Sequence, residues 1–226
     1  MPSKKNSQNK KKIDLNKHEV FLPILFLTFF LWLLYRRIFH FSVLFDESIG
    51  KLVFFALPVL IYVSISGSKE ILATFSLKKI KSGLLLGLAF GGIFGFIGAL
   101  IGTLGRGGQV SLVPYYFTDW FWQEMFLALL TGFWETLFFY SFVMVVIDEK
   151  FQHFSLLKKI NLVAIIYLLF HLPNIFNRFT STEVFLQILL IFAFACGQAL
   201  LFYKRRNAYV LVLVQAIWGM VLLLHF

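Results

Sequence analysis

The 226-residue chain is 59% hydrophobic, only 14% charged, and holds a formal net charge of +10. A soluble domain would carry about a quarter charged residues, and the apolar runs are about as long as a membrane-spanning helix. A soluble globular fold and an alternating-pattern β-barrel are therefore both excluded, and the predicted fold is an all-α polytopic membrane helix bundle.

Residues 1–19 (MPSKKNSQNKKKIDLNKHE) hold six lysines and little apolar content. They read as a basic cytosolic tail drawn to anionic lipid. The first apolar run begins near Val20 and lacks a small-residue cleavage site, so no cleavable signal peptide is expected. Residues 20–226 form the transmembrane domain, with seven predicted spans: Val20–Tyr35, Leu52–Ser66, Gly83–Leu104, Trp120–Ile147, Ile160–Pro173, Glu183–Tyr203 and Ala208–Phe226. Between the first two, Arg36–Lys51 contains a further apolar patch and reads as interfacial.

Placing the N-terminus inside puts sixteen of the twenty-one Lys and Arg on the inner side, in 1–19, 67–82, 148–159 and 204–207. Arg36, Arg37, Lys51, Arg106 and Arg178 fall outside. This bias predicts an N-in, C-out integral membrane protein. Basic residues clustered beside apolar spans act as topology signals, which argues against a nucleic-acid partner.

Gly83, Gly87, Gly91 and Gly95 recur at every fourth position, and Gly98 and Gly102 repeat the spacing. They predict a small-residue face that packs closely on another helix of the same chain. Arg106-Gly107-Gly108 follows in a loop and is given no phosphate role. The single cysteine, Cys196, lies in an apolar run and reads as a structural thiol, with no disulfide framework and no thiolate metal site.

Two ionisable residues stand out. Glu135 lies inside LALLTGFWETLFFYSFVMVVI and His171 inside INLVAIIYLLFHLP, where such groups are costly and are commonly functional. At about 1.5 Å rise per residue, both lie on the order of 18 Å from the inner end of consecutive antiparallel spans. A direct hydrogen bond between them is expected. The last span brings Gln215 to about 12 Å and Gly219 to about 18 Å from the same end. Tyr167, His171 and Asn174 share one helical stripe, and Pro173 is expected to kink that helix. Glu124, Thr131 and Glu135 could form a polar track down the preceding helix. A buried glutamate beside a neutral imidazole can hold and polarise water, and an amide donor nearby could stabilise an oxyanion. No GxSxG, HExxH or intramembrane aspartate pair is present.

These residues resemble the motifs of the CAAX prenyl protease and bacteriocin-processing (CPBP, or Abi) family of intramembrane proteases. The first motif of that family reads EExxxR. Here it is Glu135-Thr136-Leu137-Phe138-Phe139-Tyr140, with the first Glu kept and Thr136 and Tyr140 in the other two positions. The second reads FxxxH and here runs from Tyr167 to His171, followed by Leu172-Pro173-Asn174. The third reads HxxxN or HxxxD, and its register falls on Gln215 and Gly219, both altered.

The resemblance covers about residues 83–226 and implies a CPBP-like core there. It further implies an endopeptidase that hydrolyses a membrane-associated peptide or protein. Glu135 and His171 would activate water, and Gln215 would serve as oxyanion donor. Tyr167, Asn174, Tyr140, Thr136 and Gly219 would support them. Membrane lipid and that substrate are the expected partners. A bacterial or archaeal cytoplasmic membrane, with the N-terminus on the cytoplasmic side, is the expected location. Zinc is associated with some family members, but Glu135, His171 and Gln215 make a poor zinc set, so no cofactor is expected. The altered positions favour an alternative: a catalytically inactive relative acting as a membrane interaction or bacteriocin-immunity-type protein. A proton-relay transporter is a weaker third reading, since no inverted repeat is visible.

Overall fold

A computed structural model describes residues 18–105, 120–178 and 181–225. The tail over 1–17, Arg106-Gly107-Gly108 and Phe226 lie outside them. Among the described residues every regular element is helical. We number them α1 (Phe21–Ile38), α2 (Val43–Ser66), α3 (Lys69–Ala73), α4 (Ile80–Gly105), α5 (Trp120–Lys150), α6 (Leu156–Arg178), α7 (Ser181–Arg205) and α8 (Ala208–His225).

Six stretches are long and apolar enough to cross a membrane, by length and composition: α1, α2, Lys69–Leu104, α5, Leu156–Phe176 in α6 and Val184–Arg205 in α7. The apolar helix α8 packs among them. Their outward faces carry large apolar side chains, such as Phe26, Phe96 and Phe185. In water that would be a liability; facing lipid it is the expected arrangement.

Helix α5 is the axis of the bundle. About 78% of its apolar window is buried, far more than for any other span. Phe138, Phe139, Tyr140 and Phe142 are fully enclosed there. Phe138 stacks on Phe55 of α2 and lies tilted against Phe170 of α6, and Phe139 meets both rings edge-on.

The glycine stripe meets its predicted need inside the chain. A Cβ at Gly83 would stand 2.5 Å from Tyr209 Cβ, at Gly87 2.7 Å from Leu213 Cβ, and at Gly98 2.7 Å from the Trp218 ring. Helix α4 thus lies against α8 at a distance only glycine permits. Gly132 does the same for α5, where a Cβ would fall 2.7 Å from the Val212 carbonyl oxygen.

The segment Arg36–Lys51 departs from the expectation of an interfacial patch before a span at Leu52. The second span starts at Val43 and runs without interruption to Ser66. Its first half is π-helical over Asp46–Gly50 and Leu52–Ala56, on either side of Lys51. The Lys51 N–H donates to the Asp46 carbonyl, five residues back. Helix α5 has the same feature, changing from α to π geometry over Thr136–Met144, directly after Glu135. Such wide turns shift side-chain direction relative to an α-helix and recur at functional sites.

The segments holding the basic clusters meet at one end of the bundle. Asp148 accepts from Lys159 Nζ at 2.6 Å and from Arg206. Lys79 Nζ donates to the Arg206 carbonyl at 2.7 Å, and Asn207 Nδ2 to the Lys79 carbonyl at 2.9 Å. His18 joins them, with Nε2 3.1 Å from Glu149 and Nδ1 2.6 Å from the Tyr62 hydroxyl. The start of α1 and the α3–α4, α5–α6 and α7–α8 connections therefore share one side.

On the α1–α6 contact, Trp32 Nε1 donates to the Phe170 carbonyl at 3.0 Å. Trp32→Phe is expected to lower stability by about 1 kcal/mol, the usual value of one neutral hydrogen bond, measured by thermal unfolding in detergent.

Candidate functional site: a buried carboxylate network

Glu135, at the end of the α-helical part of α5, is 5% exposed. Its carboxylate is surrounded by donors from three other helices. Oε1 accepts from Lys51 Nζ of α2 at 2.6 Å. Oε2 accepts from the Tyr167 hydroxyl of α6 at 2.9 Å and from Gln215 Nε2 of α8 at 3.3 Å. His171 Nε2 stands 3.6 Å from Oε1.

The remaining polar atoms of this centre are tied to one another. Gln215 Oε1 accepts from Thr136 Oγ1 at 3.1 Å, which leaves its amide nitrogen facing Glu135. The same nitrogen lies 3.5 Å from the Tyr167 hydroxyl. His171 Nδ1 lies 2.8 Å from the Tyr167 carbonyl, one turn earlier. A carbonyl can only accept, so Nδ1 carries the proton and Nε2 is the nitrogen turned toward the carboxylate. The Tyr167 and His171 rings stack, with centroids 4.1 Å apart.

Lys51 is the cation of the site, and it has two carboxylate partners. Glu47, one turn earlier on α2, accepts from its ammonium at 2.6 Å, the same distance as Glu135. Glu47 also accepts from Thr131 of α5. Lys51 has only 7% of its side chain exposed, against 24% for Glu47. The triad thus runs inward from a quarter-exposed carboxylate to an enclosed one. Two carboxylates and one ammonium leave one negative charge, beside which the His171 imidazole is placed.

The structure brings Glu135, His171, Gln215, Tyr167 and Thr136 together, but Glu135 and His171 stand 3.6 Å apart, beyond the direct hydrogen bond expected between them. Tyr140 and Asn174 do not join them: the Tyr140 hydroxyl and Asn174 Oδ1 are buried without a hydrogen-bond partner. Tyr140 packs instead by its ring, 6.1 Å from Tyr167 and 6.2 Å from Phe202. Gly219 serves packing, where a Cβ would sit 3.9 Å from Ala128 Cβ. Of the expected polar track, Thr131 reaches the network through Glu47.

Lys51 and Glu47 escaped the sequence reading, which counted Lys51 as an outer topology charge. A signal was present: Glu47 and Lys51 stand four apart, the spacing of a helical ion pair, and an apolar run starts at Leu52.

A zinc ion does not fit this centre. Glu135 and His171 supply two ligands where a zinc site needs at least three, and the Lys51 ammonium lies where it would repel a cation. Among the described residues no group of three His, Cys, Asp or Glu is disposed to hold a metal. Searches against protein-family models, curated proteins and solved structures gave no match to this chain.

Proposed function

We propose that the chain is a catalytically inactive relative of the CPBP intramembrane proteases, acting as a membrane interaction or bacteriocin-immunity-type protein. One observation carries this reading: three donors from neighbouring helices already hold the Glu135 carboxylate. A carboxylate offers about four acceptor positions. Lys51 donates to Oε1, and Tyr167 and Gln215 to Oε2, while His171 Nε2 turns its lone pair toward Oε1 from 3.6 Å. A general base must present a lone pair to the water it activates. Here donors of neighbouring helices hold three of those positions, so the network acts as a polar lock among α2, α5, α6 and α8. The altered motif positions Thr136, Tyr140, Gln215 and Gly219 point the same way. This reading sets the protein in a bacterial or archaeal cytoplasmic membrane with its N-terminus inside, supported by the Lys and Arg bias.

Endopeptidase activity is the second reading, and the pose of His171 favours it. Its Nε2 faces Glu135, and Gln215 presents an amide donor to the same carboxylate. Lys51 could release Oε1 without losing its charge partner, since Glu47 is equally close.

Proteoliposomes holding the wild type, Glu135→Gln or His171→Ala, incubated with membrane-associated peptides, separate the two. The inactive reading expects no cleavage by any of the three, together with an unchanged cellular phenotype for both variants. Cleavage by the wild type that falls about 100-fold or more in Glu135→Gln would replace it with the peptidase.

A further inference from the structure

Helices α1 and α6 diverge to leave a cleft of about 540 Å³, unconnected with the hydrogen bonds of Glu135. Its volume lies in the roughly 300–1,000 Å³ range of small-ligand sites. Phe29 and Leu33 of α1 face Leu172, Pro173 and Phe176 of α6 across it. Trp32 holds the two helices together through the Phe170 carbonyl. Pro173 lies inside α6, where it can donate no backbone hydrogen bond.

One end of the cleft is basic. Arg36 and Arg37, in the last turn of α1, complete its lining. Arg36 Nη1 is paired with Asp46 Oδ2 at 2.7 Å, while its Nε is buried with no partner. Arg37 is exposed. Asp46 offsets one of the two guanidinium charges, so the mouth keeps about one positive charge. From Phe29 to Arg36 is about 10 Å along the helix axis at 1.5 Å per residue. The cleft therefore runs along the helix from a cationic mouth, at a helix end where headgroups lie, into an apolar body.

We propose that this cleft binds a membrane phospholipid with an anionic headgroup. Its phosphate lies at Arg37 and Arg36, and one acyl chain lies along Leu33, Leu172 and Phe176. The charge left at the mouth matches one phosphodiester, and an arginine fork suits phosphate oxygens. A lipid merely bordering the helices would show no such headgroup preference.

Native mass spectrometry of the full chain, titrated with phosphatidylglycerol and phosphatidylcholine of identical acyl chains, tests this. The first phosphatidylglycerol is expected to bind about fivefold tighter than phosphatidylcholine, the effect of one arginine near a lipid surface. Arg37→Gln removes that preference, while Lys158→Gln, an exposed charge outside the cleft, keeps it. Leu172→Trp, which fills the cleft, removes the tight first event for both lipids. Equal affinity of the two lipids in the wild type overturns the proposal. So does a preference that survives Arg37→Gln, or one that falls equally in Lys158→Gln.

Discussion

Lys51→Met is expected to destabilise the protein by about 3–5 kcal/mol, the cost of breaking a buried ion pair from one side. Lys51 Nζ lies 2.6 Å from both Glu47 and Glu135, and 93% of its side chain is shielded. Methionine keeps most of the volume but supplies no donor. Glu135 is then left with Tyr167 and Gln215 on Oε2 and only His171 near Oε1. Glu47 loses less, because it is partly exposed and keeps Thr131.

The second substitution distinguishes a lost pair from lost packing. Adding Glu135→Gln to Lys51→Met removes the stranded charge and retains a side chain able to meet Tyr167. Replacing both members of a buried pair is often close to neutral. The double variant should therefore be more stable than Lys51→Met alone by at least about 1 kcal/mol, a coupling typical of contacting residues. Unfolding titrations in detergent micelles of all four proteins measure it. Additive losses would mean that the two residues do not act as a pair, and the lock among α2, α5, α6 and α8 would go with them.

The second large effect is steric. Gly132→Ala is expected to cost roughly 1–3 kcal/mol through overpacking. Its Cβ would meet the Val212 carbonyl oxygen at 2.7 Å and Gln215 Cβ at 3.3 Å. Backbone cannot rotate away as a side chain can, so α8 must move, and Gln215 moves with it. Gly132→Val should cost more. Gly92 provides the control, since a Cβ there meets nothing within 4 Å. Gly92→Ala should be neutral or stabilising by up to about 1 kcal/mol, the helix-propensity gain. Thermal unfolding of the three variants in one detergent gives the comparison. Equal losses at Gly132 and Gly92 would show that close approach of α8 does not set the penalty.

These two effects mark what could be read from residues alone. The apolar runs announced the membrane helices because the requirement is local: a segment long enough to cross a bilayer must satisfy its backbone within itself. The cost of an ionisable group at that depth singled out Glu135 and His171, and helix rise placed them at one level. They lie 3.6 Å apart. The glycine spacing announced a close helix contact, again because the pattern belongs to one segment.

The partners of those groups were settled only by tertiary structure. The pairing of Lys51 with Glu135 joins residues 84 positions apart. Lys51 lies buried between two π-helical stretches, and no hydrophobic period records such turns. In the same way, the glycine stripe says that something comes close, while the fold decides that it is α8. Sequence fixes what each segment must bury; only the packed bundle decides which buried groups meet, because that depends on helix neighbours and register. Here it turned a glutamate read as holding water into a carboxylate that Lys51, Tyr167 and Gln215 already hold, with His171 beside it.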